Sequence, residues 1–162
     1  MASTSAKAEQ LAQQFEQLNG EVIAFVESCD DAVWNAPCPG DGRPVAAVAA
    51  HVAGAYRAVV EWVRSVAAGQ PVTITMDDIH ASNARAATKD AGRSREDVAQ
   101  ALRSNGELLA GTIRGLDDES LAHSAPFGPA GGTPLTAEPV ATYVLLRHPR
   151  VHLDDMRKAA GQ

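Results

Sequence analysis

Aromatic residues are scarce, at 4% of the chain, although hydrophobic residues as a whole reach 45%. Alanine and valine supply much of that apolar content, and a core of such small side chains suits closely packed helices. Cysteine is nearly absent. Cys29 and Cys38 flank a loop and are too few for the disulfide framework of a small secreted domain, so reduced thiols in a cytoplasmic setting are expected. No activating base stands near either of them, which points to inert or exposed thiols. No run of about 18 apolar residues is available for a membrane span. The opening stretch MASTSAKAEQLAQQFEQLNG lacks the apolar segment of a secretory signal. Basic blocks are missing too, and a net charge of −6 with a pI near 5.3 excludes nucleic acid and anionic membrane as main partners. There is no phosphate-binding glycine loop, dinucleotide fingerprint, nucleophile elbow, internal repeat or low-complexity tract.

What the chain does have is helical periodicity. Its 162 residues fit one domain, 1–162, with a substantial core. From Ala6 to Ser28, Leu11, Phe15, Leu18, Val22, Phe25 and Val26 recur at three- and four-residue steps, one stripe of a first helix. The segment CDDAVWNAPCPGDGRP is dense in Pro, Gly and Asp and reads as loop, with Trp34 folded back on the core as a lid. Pro44 suits the first turn of a second helix running to Ala68, with Gly69 as its stop. Val45, Val48, Val52, Ala55, Val59, Val63 and Val66 form its buried seam, and His51 lies against that seam. QPVTITM, residues 70–76, is extended but too isolated for a sheet. Asp77 opens a short helical piece closed by Gly92. Ser94 and Asp97 resemble a capping box before a third long helix, Arg95 to Arg114, with Val98, Leu102, Leu108, Leu109 and Ile113 apolar. DDESLAH adds one turn, residues 124–135 (SAPFGPAGGTPL) read as a long loop, and Thr136 can cap a final helix to Ala160. The expected fold is all-α, a four-helix bundle with long loops before its second and fourth helices.

The final helix carries the chemistry. His148 and His152 stand four residues apart, which stacks two imidazoles on one helical face within reach of a single metal ion. His51, on the second helix, is the third candidate; two ligands from one helix and one from a facing helix is how bundles build core metal sites. For His51 alone a hydrogen-bonded core histidine is the plainer reading. For the pair it is two polar residues on a partly exposed helix. Three neutral imidazoles leave a position open on a tetrahedral ion, the catalytic rather than the structural arrangement. Zinc suits that ligand set best, and nickel and iron are compatible with it. The open position can hold water, for hydrolysis, or a thiolate. Asp155 is placed to orient a ligand imidazole or is a solvated helix-end acid. Arg147 and Arg150 can hold an anionic group or serve as routine cations near a helix C-terminus. His80 and His123 lie beside turn signals and read as surface; Trp34 and Trp62 read as core.

Taken in order, several segments resemble the DinB/YfiT-like superfamily, which includes the mycothiol-dependent maleylpyruvate isomerase N-terminal domains. Trp34 with Pro39 leads into VAAVAAHVAGAYRAVVEWV, similar to the family's second helix and its single ligand histidine. HASNARAA and SREDVAQALRSNGELLAGTIRGLDDESL follow, and RHPRVHLDDMRKA matches the fourth-helix H-x-x-x-H. The resemblance covers nearly the whole chain. It implies an up-down-down-up bundle holding a divalent metal on His51, His148 and His152, with a homodimer common. Isomerase-type members often carry Glu where this chain has His148, which places it nearer the all-histidine members. The resemblance also implies a low-molecular-weight thiol of the mycothiol or bacillithiol type as co-substrate and an electrophilic small molecule as substrate. The lead expectation is a metal-dependent thiol S-transferase or isomerase, acting in a pocket walled by the 30–44 and 124–135 loops. A water-activating metallohydrolase and a non-catalytic metal-binding or stress-response bundle are the rivals.

Pro149 departs from the pattern. Inside a helix it removes a hydrogen bond, clashes with the Leu145 carbonyl and disfavours α geometry at His148. Either the helix kinks there, the favoured reading, or a new segment starts with Pro149 in its first turn, which could turn His148 away from His152.

Overall fold

The computed structural model describes residues 3–90 and 92–162. The chain is mostly helical, with one small antiparallel sheet. Helix α1, Ala6–Ser28, starts at Ser5, whose hydroxyl accepts from the amides of Lys7 and Ala8. Its stripe of Leu11, Phe15, Leu18, Val22, Phe25 and Val26 is buried as the periodicity requires. A single helical turn, α2 (Asp31–Trp34), interrupts the expected loop. Helix α3, Val45–Ala67, follows Pro44; helix α4, Met76–Lys89, starts from a capping box in which Thr75 and Asp78 bond reciprocally. Helix α5, Arg95–Arg114, begins where Ser94 accepts from the Asp97 amide, and α6 spans Asp118–Ala122. Ala91, in the expected end of the α4 piece, lies outside the described residues.

α1 and α3 both pack along α5, and the C-terminal helical stretch closes against α1 and α3. Phe15 and Tyr56 meet edge to face at 5.0 Å, both shielded from water. The Tyr56 hydroxyl donates to Asn19 Oδ1, and Asn19 Nδ2 donates to the Leu102 carbonyl, so α1, α3 and α5 share one satisfied polar link inside the apolar core. Leu108, counted in the α5 stripe, is 42% exposed and lies off the buried face. No described helix is long and apolar enough to cross a membrane.

Two expectations are corrected. Residues 124–135 are not a loop: β1, Ser124–Phe127, pairs with β2, Thr133–Thr136, as an antiparallel hairpin with Pro126 opposite Pro134. Its inward residues, Ala125 and Phe127, are buried. The 70–76 stretch is not isolated either, because Val72 donates to the Pro126 carbonyl and accepts from the Gly128 amide. Gly128 is required there: a Cβ would fall 2.1 Å from the Ile74 carbonyl oxygen.

The C-terminal stretch takes the second alternative, a new segment with Pro149 in its first turn, yet His148 still faces His152. Helix α7, Ala137–Thr142, runs into a π-helical turn over Tyr143–Arg147, and α8, His148–Ala159, begins with Pro149 in its first turn. The His148 amide donates to the Tyr143 carbonyl, five residues back. Widening the turn gives the proline ring room and places its missing N–H where a helix start has no partner for it. His148 keeps right-handed helical geometry, φ −59° and ψ −52°, although it precedes proline.

Candidate metal centre

Two helices bring three histidines together. His51 comes from the second turn of α3; His148 and His152 are the first and fifth residues of α8. His148 Nε2 lies 3.1 Å from His51 Nε2 and 3.2 Å from His152 Nε2. The donor atoms of all three fall within 4.8 Å of one another. Ring centroids are separated by 4.5 to 5.1 Å, with the planes steeply inclined, so edges rather than faces meet at the centre.

Tetrahedral bonds of about 2.0–2.1 Å put neighbouring donor atoms roughly 3.3 Å apart, close to the spacing seen here. Burial drives the His51 pKa down to about 4, helped by His152, and that of His148 to about 3, helped by His152 and His51; burial also lowers His152. The rings are therefore neutral at pH 7, and a neutral imidazole offers one nitrogen lone pair. Three such nitrogens facing one point could hold a divalent cation, and the set fits zinc chemistry.

Asp155, one turn beyond His152, does something other than orient an imidazole. Its carboxylate accepts from the Gly40 amide at 2.8 Å and the Asp41 amide at 2.9 Å, fastening the 38–43 turn to α8. Gly40 allows that approach, since a Cβ would lie 3.0 Å from Asp155 Oδ1. The turn carries Asp41, which Arg43 clasps through Nε at 2.5 Å and so holds below the usual carboxylate range. Cys38, in the same turn, is buried, and burial followed by the charges of Asp155 and Asp41 pushes its thiol up to about 11. Cys29 is buried too, its thiol directed to the Phe25 carbonyl.

Arg147 and Arg150 stand elsewhere. Arg147 lies over the Tyr143 ring, 5.3 Å from its centroid, and Arg150 forms a paired contact with Glu21 of α1. His123 Nδ1 meets the Ala67 carbonyl. Trp34 is buried, its indole N–H donating to the Arg93 carbonyl. It lines a depression of about 700 Å³ that contains no histidine, where Arg43, Arg93 and Arg95 pair with Asp41, Asp90 and Asp31.

A cavity of about 610 Å³ opens beside His51 and His148. The hairpin supplies Phe127 and Leu135, α3 supplies Val59 and Trp62, α4 supplies Ile79, His80 and Asn83, and the C-terminal stretch supplies Val140 and Tyr143. The expected wall from 124–135 is therefore present, while residues 30–44 take no part in it. Trp62 is cavity wall rather than full core, half-buried and edge-on to Phe127 at 5.7 Å. The sequence reading missed α4 as a wall. Its signal was the inward period of Ile79, Asn83, Ala86 and Ala87, all half-buried.

The fold is shared with a crystal structure of the mycothiol-dependent maleylpyruvate isomerase, at a TM-score of 0.72 and 14% sequence identity. The match covers 92% of this chain and 60% of the other, so the chain spans less than two thirds of that relative's length. No curated protein sequence matches it significantly. The mycothiol maleylpyruvate isomerase N-terminal domain model matches residues 15–157, and the chain belongs to that DinB-like family.

Proposed function

We propose that the chain is a metal-dependent, thiol-using enzyme of the S-transferase or isomerase kind. In this reading His51, His148 and His152 hold one divalent ion, zinc by ligand chemistry. The observation that carries it is the convergence of three neutral histidine nitrogens at the edge of an apolar cavity. The family and the solved relative are both described by mycothiol, which supports a low-molecular-weight thiol as co-substrate. Packing of α1, α3, α5 and α8 around one core supports reading the frame as an up-down-down-up four-helix bundle in one domain.

When bound, the metal supplies a fourth position at which a thiol loses its proton. The chain's own residues then define the rest. His51 and His148 line the cavity, so a thiol on an ion they hold would face a molecule placed among Val59, Trp62 and Phe127. Those apolar walls lower the local polarity, which raises the strength of electrostatic contacts beside them. Asp155 fastens the 38–43 turn to α8, the helix that carries His148 and His152.

The test is metal content of tag-free protein by elemental mass spectrometry, followed by turnover of an electrophile with and without added thiol. About one equivalent of zinc, nickel or iron, lost in His152→Ala, and thiol-dependent turnover are expected. Protein that takes up no divalent ion on dialysis overturns the reading. Turnover that ignores thiol but consumes water moves the chain to the hydrolases.

A further inference from the structure

Among the described residues lining the histidine cavity there is no lysine, arginine, aspartate or glutamate. A carboxylate carried inside would lose its water and meet no cationic side chain in return, and buried charge is tolerated only when paired. Arg147, on the π-helical turn, sits over the Tyr143 ring rather than among the lining side chains. The rim is apolar as well: Met76 at the start of α4 and Tyr143 on the π-helical turn are 45% and 59% exposed. Apart from the metal-site histidines and the aromatic wall, hydrogen-bonding side chains come from one place. His80 and Asn83 stand three residues apart on α4, a spacing that puts both on one side of the helix.

We infer that this cavity takes an uncharged, largely apolar electrophile, and that His80 and Asn83 hold its one polar group. The volume of about 610 Å³ lies within the range of small-molecule sites. The word electrophile rests on the thiol reading above; the preference for an uncharged occupant rests on the lining alone. For an aryl chloride, the thiolate sulfur would form a bond to the ring carbon, chloride would leave with its electron pair, and the thiol proton would pass to solvent. No oxidant or reductant is needed.

The experiment uses an inert matched pair, 1,3-dinitrobenzene and 3,5-dinitrobenzoate, titrated against the full chain with and without zinc. Quenching of Trp62 fluorescence in a Trp34→Phe background reports binding, and far-UV circular dichroism confirms folding of every variant. The neutral compound should bind at least tenfold more tightly than the carboxylate. His80→Ala and Asn83→Ala should each weaken it severalfold, Arg147→Ala should leave the preference in place, and Ala55→Lys should reverse it. Equal or tighter binding of the carboxylate by the unaltered cavity, or no binding of either compound at millimolar concentration, overturns the inference. Turnover then separates the two readings, using 1-chloro-2,4-dinitrobenzene and 4-chloro-3,5-dinitrobenzoate with a thiol. Neutral binding with no thiol-dependent turnover of either sinks the enzyme reading and leaves the inference. Turnover confined to the carboxylate does the reverse.

Discussion

Single side chains decide most of what the centre can do. Cys38 illustrates how far burial alone can go: its thiol is held neutral by desolvation and by Asp155 and Asp41. At pH 8 a thiol of pKa about 11 carries about a hundredfold less thiolate than an ordinary one. Alkylation by iodoacetamide should therefore be at least that much slower in the folded chain than in urea, followed by mass spectrometry. The sign of the linked stability follows. The folded thiol ionises at higher pH than the unfolded one, so stability is intact below pH about 9 and declines from there up through about 11. Asp155 makes the second prediction. Asp155→Asn replaces one accepting oxygen with a donor that faces a backbone N–H, and should cost about 1–3 kcal/mol in urea unfolding. Metal content should be retained, because no histidine depends on that carboxylate for a hydrogen bond. The sequence showed Asp155 three residues after His152 but could not show that its partners lie 114 and 115 residues away in the 38–43 turn.

The secondary-structure elements show where sequence reading works and where it stops. α1 and α5 fall at Ala6–Ser28 and Arg95–Arg114, as their stripes and caps dictate, since a long amphipathic period carries its own boundaries. The hairpin was hidden because its strands are four residues each, and Pro126 and Pro134 write a loop signature across it. Only tertiary pairing with Val72 and the burial of Ala125 and Phe127 make it a sheet. The π-helical turn was hidden for a different reason: nothing in Tyr143–Arg147 departs from helical composition, and only Pro149 downstream demands the wider turn. That turn sets the phase of α8. Deleting Arg147 removes one residue from it and should rotate α8 by about 100° relative to α7. The buried Ala137 and Val140 of α7 and the histidine pair of α8 could then no longer both face inward. The deletion should keep its helical circular dichroism while losing the bound metal; metal retained at full stoichiometry would refute a phase-setting role.

Across the whole molecule, stability and site are carried by different parts. Leu102, fully buried on α5 in the core shared with α1 and α3, should cost about 2–5 kcal/mol as Leu102→Ala. Chemical denaturation measures it, and the change should leave the histidine cluster intact because α5 carries none of the three histidines. α4 is the contrast. It is held by a capping box at its start, and none of its residues is buried. Its amides should exchange with deuterium through local opening, far faster than those of α5, which can exchange only when the core itself comes apart. The cavity thus has one wall whose composition is nearly uncoupled from folding. Substitutions at Ile79, His80 or Asn83 can accumulate at little thermodynamic cost, while α3 and α8 stay under the joint constraint of packing and of the histidine cluster. Related chains can therefore diverge in what the cavity accepts long before they diverge at the histidine cluster.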